Sequence, residues 1–233
     1  MQLLFSCSNA LVKWLKLDFP RIPSPDGKKV GTQTIVTDAN TMAWQCHVIQ
    51  NFYHRGGYTE YTVIAVEAHS RYTILMPYEI APTQDELANE LVRQWGNQSL
   101  HLMQEHGVLS ESHLPQVAQQ FMRMPKDYCW YKNTDMSVNG HVSDAEQWVR
   151  DAFEQFGLEN LNDDTAFGVG LHINERWKRA KIAGQKQQFF PIPRFIDDAL
   201  SRFATVHEVK TRQQKSSIND SNVVSLNDYR KER

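Results

Sequence analysis

Two sets of residues in this chain have types and spacings that could do chemistry. His172 and Glu175 are spaced H-x-x-E, so a helix would bring both side chains to one face. With Asp144, and with Asp163 and Asp164 further off, they could form a general acid–base site. His172, Glu175 and Asp144 are therefore the candidate catalytic residues of a small hydrolase or nuclease. The second set is basic. Arg176, Lys178, Arg179, Lys181 and Lys186 follow closely, with Trp177 among them and Phe189–Phe190 just after. Cations in such a run contact phosphates and aromatic rings stack on bases, which makes it a candidate nucleic-acid segment.

Other constellations are poorer in chemistry. His47, His54 and His69, with Glu67, lie in one region, but their spacing specifies no metal geometry. H-x-x-E alone offers too few ligands for zinc. No G-x-G-x-x-G, P-loop or G-x-S-x-G sequence is present. No cofactor and no metal site is expected. Cys7, Cys46 and Cys129 are far apart and odd in number, which reads as reduced, mostly buried thiols in a cytoplasmic protein.

The chain has 233 residues, a formal net charge of -2, 41% hydrophobic residues and 11% aromatic ones. That charge gives no global field for nucleic acid, so any such binding must be local. The aromatics can fill a sizeable core. The opening MQLLFSCSNALVKWLKL lacks a basic start and is interrupted by Lys13 and Lys16, unlike a signal peptide. No run approaches the ~20 apolar residues of a membrane helix, so no membrane partner is expected.

The positioning elements follow from periodicity. Residues 41–78 are rich in β-branched and aromatic residues and are broken twice by turn signals, HRGG and His69–Arg71. They predict a β-meander. Met42, Trp44, Cys46 and Val48 alternate with Gln45 and His47 across one strand. A first strand at 2–7, a short helix capped by Ser8 or Asn9, and a strand at 127–132 surround it. Between them, residues 18–40 hold Pro20, Pro23 and Pro25 and form a long loop. Thr83 with Glu86 makes a capping box for a long helix, and residues 112–123 form another. Ser143 with Glu146 predicts the start of an amphipathic helix with a core stripe of Trp148, Val149, Phe153 and Phe156. Residues from about 165 through ERWKRAKIA are read as helix, which would put the basic set on a helical face. A last helix begins near Pro193.

From about residue 207 the chain turns polar and lacks aromatics until Tyr229, the composition of a disordered tail. Inside it Val223, Val224, Leu226, Tyr229 and Arg230 form a short apolar island, the pattern of a peptide ligand for a protein partner.

Several features stand in an order that resembles a family. Lys13 and Leu15 follow the opening strand, Trp44 leads the next, and Arg71 with Tyr72 enters its pair. Ser137, Val138, Gly140 and Asp144 then form Ser-Val-x-Gly-x-x-x-Asp. Over roughly residues 1–160 this resembles an uncharacterised bacterial family of short soluble proteins, a domain of unknown function. The resemblance implies a fold and no activity.

The expected fold is α+β: an antiparallel sheet built around a meander at 41–78, packed with amphipathic helices. One domain would span 1–206, and a disordered tail 207–233 with its motif at 223–230 would follow. The expected function is a non-enzymatic protein-interaction module working through that tail. Nucleic-acid binding through 176–186 and hydrolysis at His172 are the alternatives.

Overall fold

The computed structural model describes residues 1–24, 27, 30–51, 60–124, 126–155, 157–158, 160–182 and 185–204. The tail, with Val223, Val224, Leu226, Tyr229 and Arg230, lies outside the described residues, as do His54 and the HRGG turn.

Strand β1 (Gln2–Cys7) leads through Ser8 into α1 (Asn9–Leu15). After the proline-rich loop come β2 (Thr41–Gln50), β3 (Tyr61–Glu67) and β4 (Thr73–Tyr78). Helices α2 (Gln84–Glu105) and α3 (Leu114–Arg123) precede β5 (Asp127–Lys132). Then follow α4 (Met136–Glu154), α5 (Asp163–Asn174), β6 (Lys178–Ile182), β7 (Gln185–Phe189) and α6 (Pro191–Phe203).

The main sheet has five strands in the order β4-β3-β2-β1-β5. β2 and β3, and β3 and β4, pair antiparallel, but β1 runs parallel to both β2 and β5. The expectation of an antiparallel sheet is thus corrected to a mixed one. The reason is chain length. The short helix and long loop between β1 and β2 give the chain room to cross over and return in the same direction.

Each face of the sheet builds its own core. Phe5, Trp44, Cys46, Ile74 and Met76 face α1, α2, α3 and α6. Ala43, Ile64, Val66 and Leu75 face α4 and α5. Both faces are covered, so the strands are apolar nearly throughout. On the first face Trp95 of α2 meets Phe121 edge-on at 5.0 Å, and Phe203 lies 5.5 Å from Trp95 and 5.0 Å from Phe121. Gly96 belongs to this cluster. A Cβ there would stand 2.7 Å from the Phe121 ring, which its aromatic neighbours prevent from swinging away. This is why a helix-weakening glycine is retained mid-helix.

The second face carries a polar belt. Ser6 donates to Gln45 Oε1 at 2.9 Å, and Gln45 Nε2 donates to the Ser6 carbonyl at 2.8 Å. Asn133 Nδ2 donates to Ser6 Oγ and to the Gln33 carbonyl, while its Oδ1 accepts from Gln33 N–H at 2.8 Å. Asp135 Oδ2 accepts from Ile35 N–H at 2.9 Å. The loop of residues 31–37 is therefore held by side chains that pair its backbone, as a strand would.

Two helix boundaries differ from expectation. Helix α4 begins seven residues before Ser143, because Asp135 Oδ1 accepts from Ser137 N–H and caps it. The helix expected from about 165 ends at Asn174, and Lys178–Ile182 and Gln185–Phe189 pair as a two-stranded ribbon. β4, the edge strand of the main sheet, is covered by α5. Asn174 donates to the Thr73 carbonyl and accepts from its N–H, both at 2.8 Å. Gly170 lets that helix come close, since a Cβ there would lie 3.6 Å from the Thr73 carbonyl oxygen.

Candidate functional site

The helix α4 and the root of the β6–β7 ribbon enclose a groove of about 640 Å³. His141, Asp144 and Trp148 enter it from one face of α4, at spacings of three and four residues. Glu175, Arg176 and Trp177 approach from the link after α5, and Lys178 and Arg179 from the start of β6. The groove thus gathers three of the five basic residues, Arg176, Lys178 and Arg179, with two of the three candidate catalytic residues, Asp144 and Glu175.

His172 does not line it. It is exposed, its Nε2 accepts from Arg176 Nη2 at 3.0 Å, and its ring meets Trp148 edge-on at 5.0 Å. The Arg176 guanidinium in turn lies over the Trp148 ring, 4.0 Å from its centre. His172 therefore positions a cation, and its bonded nitrogen is occupied.

Ribbon pairing sets the display of the basic residues. Lys178 pairs with Phe189, Arg179 with Gln188, and Lys181 with Lys186. Strand alternation buries Lys178 and Ala180 and exposes Arg179 and Lys181. Lys186 is exposed opposite Lys181. Trp177 and Phe190, 45% and 52% exposed, flank the first rung of the ribbon, and Arg179 sits 4.6 Å over Trp177. Arg194 of α6 anchors the other strand, donating to Gln187 at 2.7 Å and lying 3.6 Å from the centre of the Phe189 ring.

The floor of the groove is electrostatically unusual. Lys178 is only 6% exposed and His141 8%. Burial lowers the Lys178 ammonium, with Asp144 opposing and Arg176 adding to the effect. Burial, with Arg71 and Lys178 nearby, pushes the His141 imidazole down to about 4. Its Nδ1 is enclosed and has no hydrogen-bond partner among the described residues. The sign of the consequence is fixed. Between the unfolded value near 6.5 and the folded value near 4, the unfolded chain binds the proton more tightly. His141 therefore supports stability fully above that window, and this support is lost as pH falls through it. In His141→Gln the loss of stability between about pH 6.5 and pH 4, read from urea unfolding, should be smaller than in the parent. An identical slope in both proteins would rule this out. His47, which burial also lowers, adds slope of the same sign in both.

A Ser–His pair lies elsewhere. Ser8 Oγ is 2.8 Å from His47 Nδ1 at the C-terminal ends of β1 and β2. Ser8 Oγ also accepts from Leu11 N–H as the cap of α1, and Ser8 is buried. Both groups are engaged in tying α1 to β2. The thiols of Cys7 and Cys46 are equally enclosed: burial raises Cys7, and pushes Cys46 up to about 12. No group of metal-ligating side chains occurs among the described residues. No helix of the described residues is long and apolar enough to cross a membrane.

His141 and Trp148 do not stand out as site residues in the sequence. An aromatic at helical spacing is usually buried, so Trp148 reads as part of a core stripe. The signal that could find them is His141, Asp144 and Trp148 together on one face, a polar face interrupting the stripe. Comparison with protein-family models, with curated proteins and with solved structures finds no match.

Proposed function

We propose that this chain binds single-stranded nucleic acid through the exposed face of the β6–β7 ribbon. The observation that carries this reading is the rung Lys181–Lys186. Like charges placed directly opposite one another across strands are destabilising unless an anion lies between them. Arg179 shares that face, and the described ion pairs use Arg93, His101, Arg150 and Arg202 but none of these three residues. Residues 175–194 carry six Lys or Arg against one Glu, so the local field is positive although the whole chain is not. Trp177 and Phe190 at the ribbon root offer ring faces on which bases of a single strand can stack. A protein partner for the tail motif rests on sequence alone, so the ribbon is the reading with geometry behind it.

Fluorescence anisotropy with a labelled single strand at several salt concentrations tests it. Affinity should fall steeply with salt. Replacing Arg179, Lys181 and Lys186 together by Gln should weaken binding roughly 10- to 100-fold at low salt. It should also reduce the salt slope by about 2, at ~0.7 for each phosphate no longer neutralised. Unchanged affinity in the triple variant would discard the ribbon as the binding surface.

A further inference from the structure

We propose that the groove beside the ribbon is a socket for a nucleotide bearing a terminal phosphate, so that the protein reads a phosphorylated strand end. The ribbon face is suited to any single strand, because it displays exposed cations to a backbone of diesters. The groove is built differently. Its floor holds a lysine and a histidine, each more than nine-tenths buried. Lys178 has no ion-pair partner among the described residues. Enclosing a lysine without an ion pair is costly, and a charged acceptor seated against it from the groove would offset that cost. A phosphate monoester suits this better than a diester. It carries more negative charge and three terminal oxygens, enough to accept from several donors at once.

The remaining lining fits the rest of a nucleotide. Arg176 is held over Trp148 and by His172, which fixes a guanidinium at the groove with little entropy left to lose. Trp177, 45% exposed, supplies aromatic surface on which a base can pack. Asp144 and Glu175, which would repel a phosphate, are acceptors for the amino groups of a base. A volume of about 640 Å³ is in the range of small-molecule sites.

The strand that carries the phosphate is taken from the ribbon reading, so the test must separate the two. Three single strands of one sequence are compared by anisotropy on the full chain: 5′-phosphorylated, 3′-phosphorylated and unphosphorylated. One phosphorylated end should bind about tenfold tighter than the unphosphorylated strand, the effect of one charge-assisted hydrogen bond. Lys178→Gln, checked for folding by circular dichroism, should abolish that preference while weakening the unphosphorylated strand by no more than about twofold, the loss of one of six local cations. A separate arm needs no variant. Nucleoside monophosphates should quench tryptophan fluorescence in the parent protein, and inorganic phosphate at higher concentration should reverse the quench. Equal affinity for all three strands overturns the socket and leaves the ribbon standing. If no strand binds but a monophosphate still quenches, the socket stands and the ribbon reading falls. If neither a strand nor a monophosphate binds, both are overturned.

Discussion

Replacing Glu67 by alanine should cost about 3–5 kcal/mol of stability, the loss expected when one member of a buried, hydrogen-bonded charged set is removed. Glu67 ends β3 and is fully buried. Its carboxylate accepts from the N–H groups of His69 and Ser70, from the Ser70 hydroxyl at 2.6 Å, and from the Thr37 hydroxyl. These bonds fold the turn between β3 and β4 around the side chain. The turn ends at Arg71, a non-glycine residue at φ 61, whose guanidinium donates to the Ala68 carbonyl. Without the carboxylate, buried donors lose their acceptor and a buried guanidinium loses a neighbouring negative charge. Small domains hold only about 5–15 kcal/mol in total, so the variant should unfold roughly 10 °C lower. Glu67→Gln is the sharper experiment. It keeps the volume but turns an NH₂ group toward donors, so it should lose nearly as much. If Glu67→Gln melts within about 1 °C of the parent, the charge is not what organises the turn.

The second large effect is expected at Asn174. Its amide pairs both the N–H and the C=O of Thr73, the outward backbone groups of an edge strand. Asn174→Ala should leave both buried and unpaired, at about 1–3 kcal/mol for each group. It should also release the grip that holds α5 against β4. Amide hydrogen exchange reads this directly. Thr73 should lose most of its protection in the variant, well beyond any change at Val63 or Ile64 in the strand next to it. Full protection of Thr73 in Asn174→Ala would show that another group covers the edge.

Much of the element list is legible in the sequence because short-range chemistry sets it. Thr83 and Glu86 form the capping box expected of them. The alternation of Trp44 and Cys46 against Gln45 and His47 matches the two faces of β2. Strand direction is not legible. Whether β1 lies parallel to β2 depends on how the chain crosses over, and no residue within β1 encodes that. The ribbon is hidden for a related reason. Arg, Lys and Ala favour a helix locally, yet β6 and β7 are supported as strands by interactions such as Arg194 on Phe189 and Gln187, which are invisible to propensity. The candidate groove is half legible. Asp144, Glu175 and the basic residues each stand out in the sequence, and only folding joins α4 to the ribbon. Asp135, which sets the start of α4, is hidden because this earlier cap competes with Ser143 and wins by also clamping Ile35.

The cover that α5 lays over β4 also governs how copies of this chain can meet. An open sheet edge is a template for another chain, and hydrogen-bonded edges are where aggregation begins. Asn174 closes β4 at Thr73, and the opposite edge is β5. There Lys132 N–H already donates to the Pro20 carbonyl, so the loop of the same chain occupies the far end. What stays open is the stretch from Asp127, short and opening on a charge. Within the main sheet, strand addition at the β5 edge is thereby limited to one brief segment. A change that frees Thr73 or Pro20 should therefore show itself first as concentration-dependent self-association, ahead of any loss of the folded core.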